Sequence, residues 1–156
     1  MEYALVFMLF MIMLLGVVDF CRALYAYHFV SNMAREATRW AIVNGQDCAG
    51  DGSCNGTSPM NNGPATRANI RSYVTNHTPL GINAANLETT VIWASVNNGP
   101  TTCGAPPNAF PGCTVEVTVT YPFDFLYSFV YKGRRRCGAV TANVCLSSTS
   151  EMVIAH

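Results

Sequence analysis

From Tyr3 to Val18 the chain carries no charged residue, and this apolar run passes without loop or breaker into an amphipathic stretch that ends near Asn44. Gly16 is the one weak helix former in the run, and no proline precedes Pro59. A single continuous helix is expected, roughly 60 Å long at 1.5 Å per residue. A rod of that length is a stalk and not a core helix. Its apolar half belongs in a membrane or in the packed interior of a polymer, and its other half belongs against a soluble domain.

The flanks of the run weigh two other roles. A secretory signal needs a basic start and a small-residue cleavage site, whereas Glu2 precedes this run and Asp19, Phe20, Cys21 and Arg22 follow it. A plain membrane anchor fits better. The run is somewhat short of the roughly 20 residues that a bilayer core needs. Phe20 and residues 23–25 prolong it if Asp19 and Arg22 neutralise each other at their (i, i+3) spacing. Leu9 and Leu14 mark the middle of the run, where a charge would be costly. Glu2 is tolerated at a membrane surface, where the helix dipole favours it, but in an apolar interior it needs a cationic partner. Two roles stay open for it: an interfacial charge, or a register charge that pairs with the amino terminus of a neighbouring subunit.

Division at residue 44 gives a stalk, 1–44, and a remainder, 45–156, large enough for one small layered domain but marginal without extra fastening. Cysteine supplies the fastening. Cys21 lies in the stalk, and the others form three closely spaced pairs, Cys48 with Cys54, Cys103 with Cys113 and Cys137 with Cys145. With no CxxC ligand spacing, they read as disulfides of an oxidising compartment. The connectivity is open, although neighbour pairing needs the least rearrangement of the Gly- and Pro-rich loops. Each small loop would contribute about 2–3 kcal/mol on a chain-entropy estimate. His77 and His156 have no spacing to these cysteines that suits zinc. Cys21 is expected to be a buried free thiol, packing as a small hydrophobe.

Residues 46–64 are a loop by composition. Residues 66–76 place Ile70, Tyr73 and Val74 at helical spacing, so a short second helix is expected. Pro79 and Gly81 end it, and the β-branched residues and Trp93 between Glu88 and Val96 suggest a strand. After a Pro- and Gly-rich excursion, Val115, Val117 and Val119 alternate with Thr114, Glu116, Thr118 and Thr120, which predicts a strand with one buried and one wet face. Residues 148–155 read as a final strand. The expected architecture is α+β: a long helix whose soluble half packs on a short second helix and a small antiparallel sheet of about three or four strands, fastened by disulfides.

Tyr121, Phe123, Phe125, Tyr127, Phe129 and Tyr131 recur at every second position and share one face if the segment is extended. A core or inter-subunit face explains them first, and surface adhesion second. Pro122 and Asp124 point to an edge strand. Lys132, Arg134, Arg135 and Arg136 concentrate positive charge in one turn-like segment, read as a solvated hairpin tip; a contact with acidic loops of a neighbouring subunit, such as Asp47 and Asp51, or with an anionic surface polymer or DNA is the alternative. With formal net charge +0, nucleic acid is not expected as a main partner. Asp47, Asp51, Ser53 and Asn55 are a weak calcium candidate whose order does not match an EF-hand loop. Asn55 and Asn76 head glycosylation sequons. No nucleophile elbow, phosphate loop or zincin motif occurs, and neither an active site nor a cofactor is expected.

Several segments carry a family resemblance. Met1-Glu2-Tyr3-Ala4-Leu5-Val6, the Asp19-Phe20-x-Arg22-Ala23-Leu24-Tyr25 segment and Ala34-Arg35-Glu36-Ala37-x-Arg39-Trp40-Ala41 resemble the N-terminal helix of TadE-like pilins and pseudopilins. Pro79-Leu80-Gly81, Val117-Thr118-Val119-x-Tyr121-Pro122-Phe123 and the closing stretch from Leu146 to Ile154 are similar to that family as well. The resemblance implies a small envelope protein of the Tad branch of type IV pili. Its expected form is a structural pilin, anchored in the inner membrane before assembly and then polymerised with copies of itself into an extracellular filament by the Tad or type IV machinery. A low-copy minor pseudopilin that primes or caps a pilus, or a membrane-anchored surface-binding domain, are the alternatives. Members carry a basic leader and a glycine cut by a prepilin peptidase ahead of the glutamate. Neither precedes Glu2 here, which fits a processed or truncated form, a displaced start or insertion without cleavage.

Overall fold

The computed structural model describes residues 2–44, 65–95, 103–104, 111–126 and 133–154, with only the backbone of Glu2. Helix α1, Glu2–Val43, runs unbroken for 42 residues, as the absence of proline allows. Its C-terminus is closed by Asn44, whose backbone and side-chain N–H groups both donate to the Trp40 carbonyl, at 3.0 and 2.9 Å. Ala65 N then donates to the Asn44 carbonyl at 2.8 Å, so the chain re-enters where it left. Helix α2, Arg67–Asn76, starts at Thr66, whose hydroxyl accepts from Asn69 N at 3.2 Å, an N-cap that satisfies one of the orphan amides.

A 3-10 turn, Ala84–Asn86, leads into β1, Glu88–Ser95. Next come β2, Cys113–Phe123, the short pair β3, Arg135–Cys137, and β4, Val140–Ala142, and finally β5, Val144–Val153. The main sheet is antiparallel with order β1-β2-β5, and β3 pairs with β4 in a separate two-stranded sheet. Gly138, at φ 62°, opens the turn of that hairpin, a left-handed conformation that favours glycine.

Alternation along β2 decides which face of the sheet is covered. Val115, Val117 and Val119 are fully buried against Val30, Ala34, Ala37 and Ala41 of α1, and burying each valine stabilises by on the order of 1.5–3 kcal/mol. Ser150 and Ser148 of β5 lie opposite Val117 and Val119. Small residues on both elements let the helix backbone approach the sheet closely. Thr38, fully buried, shares its hydroxyl proton between the carbonyls of Ala34 at 2.7 Å and Ser150 at 3.2 Å. Ile70 and Val74 of α2 and Leu87 and Val91 complete this core. The other sheet face carries Thr118 and Thr149, their hydroxyls 2.8 Å apart, and Glu116 directly opposite Glu151. The result is the α+β, two-layer, pilin-like arrangement that the sequence implies.

Four local expectations change. Strand β2 is central over most of its length, because both faces of its ladder find partners. Only residues 121–123 overhang, since β1 stops at Glu88 opposite Thr120, and Pro122 sits in that overhang, where a missing N–H is tolerated. Strand β5 starts at Val144 and not near 148, because the overhang of β2 offers residues 144–146 partners. Within the described part of the basic run, Arg135 and Arg136 lie exposed on β3 instead of in a turn, and the turn of that hairpin comes after Cys137. Cys21 is an exposed free thiol and not a buried one, since the sheet begins to cover α1 only beyond it.

Candidate functional site

The two halves of α1 live in opposite environments. Every residue from Tyr3 to Val18 is exposed. Leu9 and Leu14 stand out at 73% and 44%, and the helix here is apolar around its whole circumference. Such a surface has no stable place in water. Asp19 is the first buried position, at 7% exposure, and Ala26 and Val30 follow as the sheet closes over the helix.

Asp19 is the hinge pin of this change. Its Oδ1 accepts from Arg22 Nη1 at 2.9 Å, the (i, i+3) pair that the sequence suggests. Its Oδ2 accepts from the backbone N–H of Leu126 at 3.1 Å, just past the end of β2. The Arg22 guanidinium also lies 5.5 Å from the centre of the Phe123 ring, a cation–π contact. Phe125 meets Phe123 edge-on at 5.4 Å. One carboxylate and one guanidinium thus tie the point where α1 leaves the sheet to the segment after β2. A second tie lies close by: Tyr25 Oη donates to the Leu80 carbonyl at 3.2 Å. Arg22, Tyr25, Gly81, Ile82, Phe123 and Asp124 line a cleft of about 290 Å³ between these loops.

The structure divides the other sequence candidates. Phe123 is buried at 4% exposure and Tyr121 and Phe125 are half-buried, so the described part of the aromatic run packs inward and Phe123 is no surface residue. Tyr127, Phe129, Tyr131 and Lys132 lie outside the described residues, as do Cys48, Cys54, the calcium candidates Asp47, Asp51, Ser53 and Asn55, and the side chain of Glu2. Arg134, Arg135 and Arg136 are exposed, and Arg134 donates to the Thr141 carbonyl at 3.3 Å. Disulfides join Cys103 to Cys113 and Cys137 to Cys145. The first clamps the approach to β2 and the second ties the β3–β4 hairpin to β5.

Sequence reasoning missed the partners of Asp19 and Tyr25, which come from residues far along the chain. It also missed a ring stack between α1 and α2. Trp40 stacks on Tyr73 at 5.3 Å, Tyr73 meets His77 at 4.3 Å, and Tyr73 Oη donates to Glu36 at 3.0 Å. Burial first, then that hydrogen bond and the Glu36 charge, push the Tyr73 phenol above its ordinary range. Beside the stack is an open groove lined by Arg35, Glu36, Arg39 and Trp40. Among the described residues no three His, Cys, Asp or Glu side chains come together as metal ligands.

The bare apolar helix is long and apolar enough to cross a membrane. A family model described as TadE-like protein matches residues 1–39. The stalk is a TadE-like helix. The TadE-like match thus covers the exposed apolar half of α1, the Asp19–Arg22 junction and much of the half that packs on the sheet. Over these residues the chain is similar to TadE-like proteins. No curated protein and no solved structure matches the chain.

Proposed function

We propose that this TadE-like chain is a structural pilin subunit, held in the inner membrane by α1 and then polymerised through that helix into an extracellular filament of the Tad type. The observation that supports it is the uncovered apolar surface from Tyr3 to Val18. Lipid covers it in a single copy, and the same helices of neighbouring copies cover it after extraction. A head-to-tail contact of this kind does not close on itself and therefore propagates.

In this reading residues 1–44 form the assembly stalk and 45–156 the disulfide-fastened outer domain, although the second half of α1 also belongs to the core of that domain. Glu2 sets the register between neighbours, Leu9 and Leu14 lie in the packed interior, and the Asp19–Arg22 pair closes the lower end of the domain. The arginines of residues 134–136 face outward, available to a neighbouring subunit or an anionic surface.

The test is electron microscopy of filaments sheared from producing cells, with mass spectrometry of the same fraction. Uniform filaments dominated by this chain support the proposal. Trace amounts support a low-copy pseudopilin, and retention in the membrane fraction supports an anchored surface domain. Leu9→Lys should abolish filaments, because a charge at the centre of an apolar helix costs several kcal/mol. Glu2→Ala should impair assembly with export and folding intact, and normal filaments from it would remove the register role.

A further inference from the structure

We propose that the underside of the outer domain is a membrane seat, in which Leu80 and Leu126 rest in the lipid surface beside α1. The proposal rests on the membrane-anchored stage of the function above and adds where the domain sits during it.

The argument starts from length. Between the charged residues Glu2 and Asp19 the bare apolar run from Tyr3 to Val18 spans roughly 24 Å at 1.5 Å per residue, whereas the hydrocarbon core of a bilayer is about 30 Å thick. The bare rod is therefore too short to cross with the domain held clear of the surface. Filling the core draws the helix in to about residue 21 or 22, and any tilt draws it in further.

Two loops lie at that level. Leu126 is fixed beside residue 19 by the hydrogen bond from its N–H to Asp19. Leu80 is fixed by the hydrogen bond from Tyr25 to its carbonyl, and a helical side chain reaches back toward the N-terminus, which sets that contact below residue 25. The two anchor points are thus within roughly 9 Å of each other along the axis. Both side chains stand free, Leu80 at 95% exposure and Leu126 at 62%. A single exposed leucine needs no explanation. Two held near one level of an apolar helix, at the depth where the membrane surface must fall, add to the exposed apolar side chains of Phe20 and Leu24 at that level. Tyr25 and Tyr27 sit just above it, as aromatic residues do at a membrane interface. The Asp19 carboxylate is met there by Arg22 and by the Leu126 amide, and the exposed Asp124 carboxylate accepts from the Asn143 backbone N–H at 2.9 Å.

The test places a tryptophan at each point in the full chain, in phosphatidylcholine–phosphatidylglycerol vesicles with or without bromine on the acyl chains. Leu80→Trp, Leu126→Trp and Phe10→Trp are compared with the parent, whose Trp40 and Trp93 give the shared background. Replacing exposed leucines leaves the core untouched. The seat predicts loss of the greater part of the emission added at both Leu80→Trp and Leu126→Trp, together with quenching of Phe10→Trp. Quenching at Phe10→Trp with neither or only one loop quenched overturns the seat and leaves the anchor standing. No quenching at Phe10→Trp overturns the anchor, and the seat with it.

Discussion

Replacing Asp19 by alanine removes two contacts at once, and their sizes can be ranked. A hydrogen bond from an amide to a carboxylate contributes about 1.5–3 kcal/mol. Leu126 is 62% exposed, so water can re-solvate the freed N–H, and the lower end of that range applies. The ion pair with Arg22 adds about 0.5 kcal/mol or less, because the arginine side chain is 47% exposed and solvent screens it. Asp19→Ala should therefore cost about 2 kcal/mol. Arg22→Gln, which leaves the Leu126 bond in place and loses the pair and the contact over Phe123, should cost about 1 kcal/mol. Denaturant unfolding of the full chain in detergent micelles reads both values, and hydrogen exchange at the Leu126 amide reads the bond itself. Exchange should speed up in Asp19→Ala and stay near the parent rate in Arg22→Gln. If Asp19→Ala unfolds within about 0.5 kcal/mol of the parent, or if Arg22→Gln costs more than Asp19→Ala, the tie between α1 and the end of β2 does not have the role assigned to it.

Ala37→Leu should destabilise by about 1–3 kcal/mol in the same unfolding assay, since Ala37 is fully buried and the added methylenes have no space; a neutral result would mean that α1 is not closely packed there. Glu116 and Glu151 stand directly opposite each other, so Glu151→Gln should raise stability by about 0.2–1 kcal/mol, and an unchanged denaturation midpoint would refute that repulsion. The Tyr73 phenol has a raised folded-state pKa, so the fold holds its proton more tightly than the unfolded chain does. Its contribution is complete below the ordinary phenol value of about 10 and is lost as pH climbs through the raised value; Tyr73→Phe should flatten that alkaline loss in melting curves. Replacing Cys137 and Cys145 by serine should cost about 2–3 kcal/mol, and reducing agent should lower the melting temperature of the parent but leave that of the variant closer to unchanged.

Much of the fold was legible because it is written in local periodicity. Ile70 and Val74 recur at helical spacing and became the buried face of α2, and Val115, Val117 and Val119 alternate and became the inner face of β2. Cysteines ten and eight residues apart closed on each other within the described part. The junction was half legible. Asp19 and Arg22 share a helix, so their spacing predicts their pairing. Leu126 is 107 positions from Asp19, and Leu80 is 55 from Tyr25, and no local pattern encodes those meetings.

What the sequence alone determined is a proline-free, uncharged stretch that must form a helix and must be covered by something apolar. The order of the sheet, the central place of β2, the exposure of Cys21 and the level at which the domain ends on α1 were decided by tertiary packing. The reason is geometric. Periodicity says which residues share a face, but only the closing of the sheet on α1, through Val30, Ala34, Ala37 and Thr38, sets where along the helix that covered face begins.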